Sequence, residues 1–241
     1  MKYREFSNVG WKVSEIGIGC WAIGSEWGDV SPENAKDALF TSLDNGVNFF
    51  DTADVYGDGR SEKFIGEILK NTKEKIYVAT KAGRRLDPHV SEGYNLNNIE
   101  AFIDRSLLNL GIDTIDLLQL HCPPSDICGK SETYEMMDEI VKKGKIKYYG
   151  VSVEKVSEAL DAIKFPNVKS IQIIFNIFRQ KPNEIFFKEA KKNNVAIIVR
   201  VPLASGLLTG KMNLNSSFPK NDHRNYNING DSFDVGETFS G

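Results

Sequence analysis

The 241-residue chain is 41% hydrophobic, enough apolar material for one large α/β domain or two small ones. Its net charge of −3, with both signs interspersed, leaves no basic field for nucleic acid and no polybasic patch for a membrane surface. No apolar run approaches the ~20 residues that cross a bilayer. The N-terminus MKYREFSNVGW lacks the apolar stretch of a signal peptide, and the three cysteines form no CxxC pair, so reduced thiols and a cytoplasmic location are expected.

Taken in order, residues 1–14 predict a small hairpin turning near Asn8-Val9-Gly10. Seven short apolar runs follow: EIGIGC, VNFF, KIYVAT, IDLLQL, KIKYYGV, SIQIIF and VAIIV. Their near-continuous apolar character indicates strands covered on both faces, as in a parallel sheet. Amphipathic helices alternate with them. Ser31 predicts an N-cap with Pro32 at the first helical position, and Ala35, Ala38, Leu39 and Leu43 form a stripe that Gly46 ends. Asn97 with Glu100 reads as a capping box ahead of Ile99, Phe102, Ile103 and Leu107, with Gly111 as the stop. Two more stripes, Tyr134/Met137/Ile140/Val141 and Val156/Ala159/Leu160/Ile163, read as core rather than as cofactor contacts. From Lys211 onward the chain is rich in Asn, Ser and Gly, and residues 211–241 predict one long loop.

Strand–helix alternation implies right-handed βαβ units, and about seven in sequence favour a (β/α) barrel spanning 1–241 as one domain. A doubly wound sheet is disfavoured because no GxGxxG follows the first strand. Parallel barrel strands share a C-terminal face, where barrel enzymes carry their chemistry. VNFF runs into Asp51, KIYVAT into Lys81, IDLLQL into His121 and KIKYYGV into Ser152, while Tyr56 lies in the loop after Asp51. Each has a bland reading, as a loop-capping acid, a loop aromatic, a solvated amine or a core histidine. Together, an acid, a phenol, an amine and an imidazole on neighbouring strand ends suit proton donation to a carbonyl. The ammonium is expected to make the phenol more acidic, the carboxylate to hold the ammonium, and the imidazole to orient the carbonyl oxygen or share the proton.

GIGCWAIG, NFFDTADVYGDGRSE, VATKAG, LLQLHCPP, YYGVS, IQIIFN and VPLASGLLTGK together resemble the successive signatures of the aldo-keto reductases. The resemblance implies a (β/α)8 barrel of the TIM type that reduces aldehydes or ketones with NADP(H), or with NAD(H). It implies Tyr56 as general acid, Asp51 and Lys81 tuning it, and His121 placing the carbonyl. It further implies that Ser152 and Gln172 hold the nicotinamide carboxamide. Pro202, Leu203, Ser205, Gly206 and Leu208 would wrap the pyrophosphate in the loop PLASGLL, a role suited to backbone amides. Trp21, Trp27 and the segment from Arg84 to Tyr94 would line an apolar substrate pocket.

Three departures from the family pattern stand out. Val153 follows Ser152 where Asn is common, and Arg200 stands where an aromatic ring commonly stacks on the nicotinamide. The third is that the chain reaches FDVGETFSG before any eighth strand, predicting a barrel open between its first and seventh strands, or patched there by another chain or by part of the terminal loop, with edges that offer a route to oligomers. A cofactor-sensing barrel resembling the potassium-channel β subunits is the alternative to an enzyme. A metal site at His121, Cys122 and Cys128 is disfavoured by irregular spacing and intervening prolines.

Overall fold

Seven parallel strands carry the fold in order of sequence: β3 (Ile18–Gly19), β4 (Phe49–Asp51), β5 (Tyr77–Ala82), β6 (Ile115–His121), β7 (Ile146–Ser152), β8 (Val168–Ile174) and β9 (Ala196–Arg200). Each pairs with the next, and among the described residues β3 and β9 are not joined to each other. The computed structural model describes residues 1–24 and 27–227. Among the described residues the sheet therefore has seven parallel strands, as the apolar runs predict. The first strand is shorter than EIGIGC suggests: only Ile18 and Gly19 pair with β4, and Ile16 is 66% exposed.

Helices α1 (Pro32–Asp44), α2 (Arg60–Asn71), α3 (Leu96–Leu110), α4 (Ser131–Lys142), α5 (Val156–Ala162) and α6 (Phe186–Lys192) follow successive strands. Ser31 caps α1 by accepting the Asn34 amide at 3.1 Å, with Pro32 at the first helical position. The start of α3 differs from expectation. Asn95, not Asn97, is the N-cap and accepts from the Asn98 amide at 3.1 Å. Helix propensity leaves two asparagines in competition, and the one whose backbone is still extended takes the cap. Gly111 ends α3 at φ +64°, the left-handed conformation that glycine adopts without a Cβ clash.

The apolar stripes pack on the outer faces of the strands. Ile65, Ile68, Ile99, Ile103, Met137, Ile140 and Phe186 are buried against Val78, Leu118, Leu120, Val151, Ile171 and Ile173. Inside the barrel the period-2 alternation runs from apolar at the strand starts to polar at their ends. Antiparallel strands β1 (Tyr3–Phe6) and β2 (Trp11–Ser14) form the predicted hairpin, pairing Phe6 with Trp11. They plug the N-terminal end: Trp11 stacks on Tyr77 at 4.6 Å and meets Tyr148 edge-on, while Phe6 stacks on Phe49. Polar side chains are left for the opposite end. No helix among the described residues is long and apolar enough to cross a membrane.

One prediction about the terminal loop is corrected. Within 211–241, Asp222 forms an antiparallel bridge with Trp27, and α7 (His223–Tyr226) follows it. Segments without periodicity can still be ordered by tertiary contacts, and residues 218–225 make several. Residues 228–241 of the expected loop lie outside the described residues.

Candidate active site

At the C-terminal face the inward-facing residues form one ring. Parallel register places Lys81 beside Gln119, His121 beside Ser152, and Ser152 beside Gln172. Arg200 ends β9, beside Ile174. All are inward because they sit two residues apart from interior apolar positions such as Ala79 and Leu117.

Lys81 is the centre of this ring. Its ammonium is 1% exposed and donates to Asp51 Oδ2 at 2.8 Å, to the Thr52 carbonyl at 2.7 Å and to Tyr56 Oη at 3.4 Å. A buried ammonium without partners would cost several kcal/mol. Here burial opposes the charge, but Asp51 and then Tyr56 more than offset it and raise the lysine's pKa. Asp51 is itself held on its other oxygen, accepting from Gln172 Nε2 at 2.9 Å and Gln119 Nε2 at 3.2 Å. Ser152 Oγ donates to Gln172 Oε1 at 3.1 Å. A continuous chain of hydrogen bonds thus runs Ser152–Gln172–Asp51–Lys81–Tyr56.

The phenol departs from expectation in one respect. Lys81 does act to lower the Tyr56 pKa, but burial is the larger effect and the net direction is upward. Sequence adjacency reveals the cation and not the loss of solvent. Tyr56 is thus a protonated phenol at ordinary pH, the state from which an acid starts. His121 faces the Tyr56 ring edge-on with centroids 5.9 Å apart. Burial, and then the cations Arg84, Lys81 and Arg200, hold its pKa well below the usual histidine value, so the imidazole is neutral. Its Nδ1 is buried and finds no hydrogen-bond partner among the described residues, which leaves a polar atom for a ligand.

Arg200 donates to the Val153 carbonyl at 3.0 Å and approaches Cys122 Sγ at 3.8 Å. The following loop is strained. Val201, Ala204 and Ser205 have φ between +48° and +55°, and Gly206 has φ +99°. A β-branched residue at positive φ is costly, and such strain is often stored at binding sites. It is supported by Asn176 Nδ2 and the Ala204 amide, both donating to the Val201 carbonyl at 3.1 Å. The Gly206 and Leu208 amides both donate to the Leu203 carbonyl, so these two are already engaged within the loop. Pro202 opens the loop and Ser205 is buried within it, whereas Leu203 is exposed.

Trp21 stacks over Tyr56 at 6.2 Å and meets Trp27 edge-on at 5.7 Å. His223 packs against both, 4.6 Å from Trp21 and 4.3 Å from Trp27. Among the described residues, no cluster of three His, Cys, Asp or Glu side chains is placed to hold a metal ion.

The family model for the Aldo/keto reductase family matches residues 15–239. The chain belongs to this family.

Aldo/keto reductases are NAD(P)H-dependent oxidoreductases. Among relatives of this one, an uncharacterised oxidoreductase of Bacillus subtilis, YqkF, is 34% identical over 215 residues, covering 88% of this chain and 68% of that protein. The NADP(+) aldo-keto reductase yakc of Schizosaccharomyces pombe is 33% identical over 224 residues, 88% of this chain and 64% of its own. The holo form of aldo-keto reductase AKR11C1 from Bacillus halodurans superposes with a TM-score of 0.77 at 30% identity, covering 91% of this chain and 73% of that one. The chain spans about two thirds of the length of the curated relatives it matches.

Within this aldo/keto reductase Lys81, His121, Ser152 and Gln172 lie at or near the C-terminal ends of their strands, with Trp21 against Tyr56 and Trp27 against Trp21 in the loops. Sequence reasoning missed Gln119, the Thr52 carbonyl, His223 and Arg224. Gln119 was discoverable, since a glutamine two residues before His121 in an apolar strand shares its inward face. A backbone carbonyl carries no side-chain signal, and His223 and Arg224 are brought in by packing alone.

Proposed function

We propose that this chain reduces an aldehyde or ketone to the alcohol with NADP(H), Tyr56 supplying the proton. NAD(H) is the alternative carrier. The observation that carries the reading is Lys81, buried and charged between the Asp51 carboxylate and the Tyr56 phenol. The cofactor, when bound, supplies a hydride to the carbonyl carbon.

The protein's own groups manage the oxygen. As negative charge develops there, Tyr56 Oη–H donates its proton, and the neighbouring ammonium stabilises the phenolate left behind. Asp51 fixes Lys81 in place and keeps it charged. Neutral His121 can donate a hydrogen bond to the same oxygen without competing as an acid. Trp21 stacks over Tyr56 and Trp27 packs edge-on against Trp21, an apolar wall that suits water exclusion and stronger electrostatic effects.

For the cofactor, Ser152 and Gln172 present a hydroxyl and an amide at the β7 and β8 ends, complementary to a carboxamide. To bind one, they exchange bonds they now make with each other and with Asp51. The strained Pro202–Leu208 turn, with Gly206 giving close backbone approach, suits a pyrophosphate. The assembled reactive groups favour catalysis over a binding-only barrel. Aldehyde-dependent oxidation of NADPH, lost in Tyr56→Phe, tests the reading; a chain that binds NADPH yet reduces no carbonyl would support a sensing role instead.

A further inference from the structure

Arg224 extends its guanidinium in several directions at once. Nε and Nη2 form a two-pronged pair with Asp222 at 2.9 and 2.6 Å, and Nη1 donates to the Ser205 carbonyl at 3.4 Å. The guanidinium lies over the rings of Phe218 and Trp27, at 3.9 and 4.9 Å. Its partner Asp222 is completely buried and is bridged through its backbone to Trp27. Burial opposes the Asp222 charge, but Arg224 outweighs it and holds the carboxyl below its usual range. Asn221 adds a bond from Nδ2 to Asp29 at 3.0 Å. Two parts of the site far apart in sequence therefore meet on one side chain: the Pro202–Leu208 loop through Ser205, and the Trp21–Trp27 wall through Trp27.

We propose that Arg224 is a positioning residue that joins the cofactor loop to the substrate wall, so that filling the loop orders the aromatic pocket. The inference rests on the reading of Pro202–Leu208 as the cofactor loop. The geometry requires a planar fork. A lysine can supply a single point charge to Asp222 but cannot pair twice with it, reach Ser205 and stack on Trp27 together. No contact of Arg224 with the reacting atoms is involved, so its effect should fall on binding and order rather than on the proton transfer.

Amide hydrogen exchange with and without NADP+ tests the coupling directly. In the wild-type protein, NADP+ should slow exchange both in the peptide carrying Ser205 and Gly206 and in the peptide carrying Trp21 and Trp27. In Arg224→Ala, protection should survive in the first and be lost in the second. Arg224→Lys should resemble the alanine variant, and unchanged exchange in β5–β7 would show that each variant is folded. Where a carbonyl substrate is turned over, KM should rise on the order of tenfold, the scale of a charge-assisted contact, with kcat much less affected. Protection of the tryptophan peptide in Arg224→Ala equal to that in wild type would overturn the coupling, as would wild-type protection confined to the loop. Absence of any NADP+ protection in wild type would instead remove the cofactor reading itself, and the coupling with it.

Discussion

Gln172 and Asp51 are 121 positions apart in the chain, yet Gln172 Nε2 donates to Asp51 Oδ1 at 2.9 Å. This bond joins the residues suited to a carboxamide to those suited to proton transfer. Asp51 carries the Lys81 ammonium on one oxygen and the two glutamine amides on the other. A change in how Gln172 is engaged should therefore reach the carboxylate that holds Lys81.

Removing the cation should expose this dependence. In Lys81→Met the Asp51 carboxylate, 17% exposed, keeps its amide donors but loses its counter-charge. Breaking a buried pair from one side costs ~3–5 kcal/mol, and the surviving bonds place the expected loss near the lower figure. Urea denaturation at neutral pH measures it. The double variant with Asp51→Asn should recover part of the loss, since no buried charge remains. Strict additivity of the two single changes would argue that the pair is not coupled.

On the proposed mechanism, Tyr56 sets the pH profile of reduction. It must be protonated to act as an acid, and its pKa is raised above the ordinary tyrosine value, first by burial. The rate should thus show no loss from this group until the pH exceeds about 10. His121 is held neutral and should contribute no limb near the ordinary histidine pKa of about 6.5. Tyr56→Phe should lower kcat by ~10²–10⁴ and leave NADPH affinity nearly unchanged. A steep descending limb between neutrality and pH 9 that Tyr56→Phe abolishes would contradict the assignment.

Asp54 provides a stability signature apart from the reaction. It is buried, and neither carboxyl oxygen has a hydrogen-bond partner among the described residues. Burial, and then the nearby Glu62 carboxylate, push its pKa up to about 7. In the unfolded chain the value is about 3.9. Between these values the folded state binds the extra proton, so stability contributed by the neutral acid falls as pH rises through this window and levels off above it. The full change is about 4 kcal/mol at most, at 1.36 kcal/mol per pKa unit. Asp54→Asn should remove this slope and be the more stable protein at pH 8. Parallel pH dependence of the two urea midpoints would refute the buried-acid account.

Gly66 tests the packing of α2 on α3. A methyl group there would lie 2.7 Å from the Leu110 carbonyl oxygen and 2.9 Å from that of Asn109, both backbone atoms that cannot swing aside. Replacing glycine by alanine gains about 1 kcal/mol of helix propensity. Overpacking costs roughly 1–3 kcal/mol, so Gly66→Ala should be neutral to clearly destabilising. A stabilised variant, with a higher Tm, would show that the two helices can separate freely.

Much of the site was legible because its geometry is local in origin. A strand alternates its side chains with period two, and parallel strands in βαβ order end on the same side. From those facts alone Asp51, Lys81, His121 and Ser152 had to gather at one end, with Tyr56 a short loop away. The same local rules place Ser31 and Gly111 at helix ends. What the sequence could not settle depends on surroundings rather than spacing. Two asparagines were each able to cap α3, and only the backbone path selects Asn95. The ammonium beside Tyr56 could be inferred, but the burial that outweighs it is a property of the packed barrel and its tryptophan wall. The segment from Phe218 to Asn225 has no period to read. Its order comes from Asp222, His223 and Arg224 finding rings about two hundred residues away and a carbonyl of the Pro202–Leu208 loop. Periodicity and end signals are encoded by near neighbours in the chain. Desolvation and the partners of an irregular loop are set by residues that become neighbours only when the barrel forms.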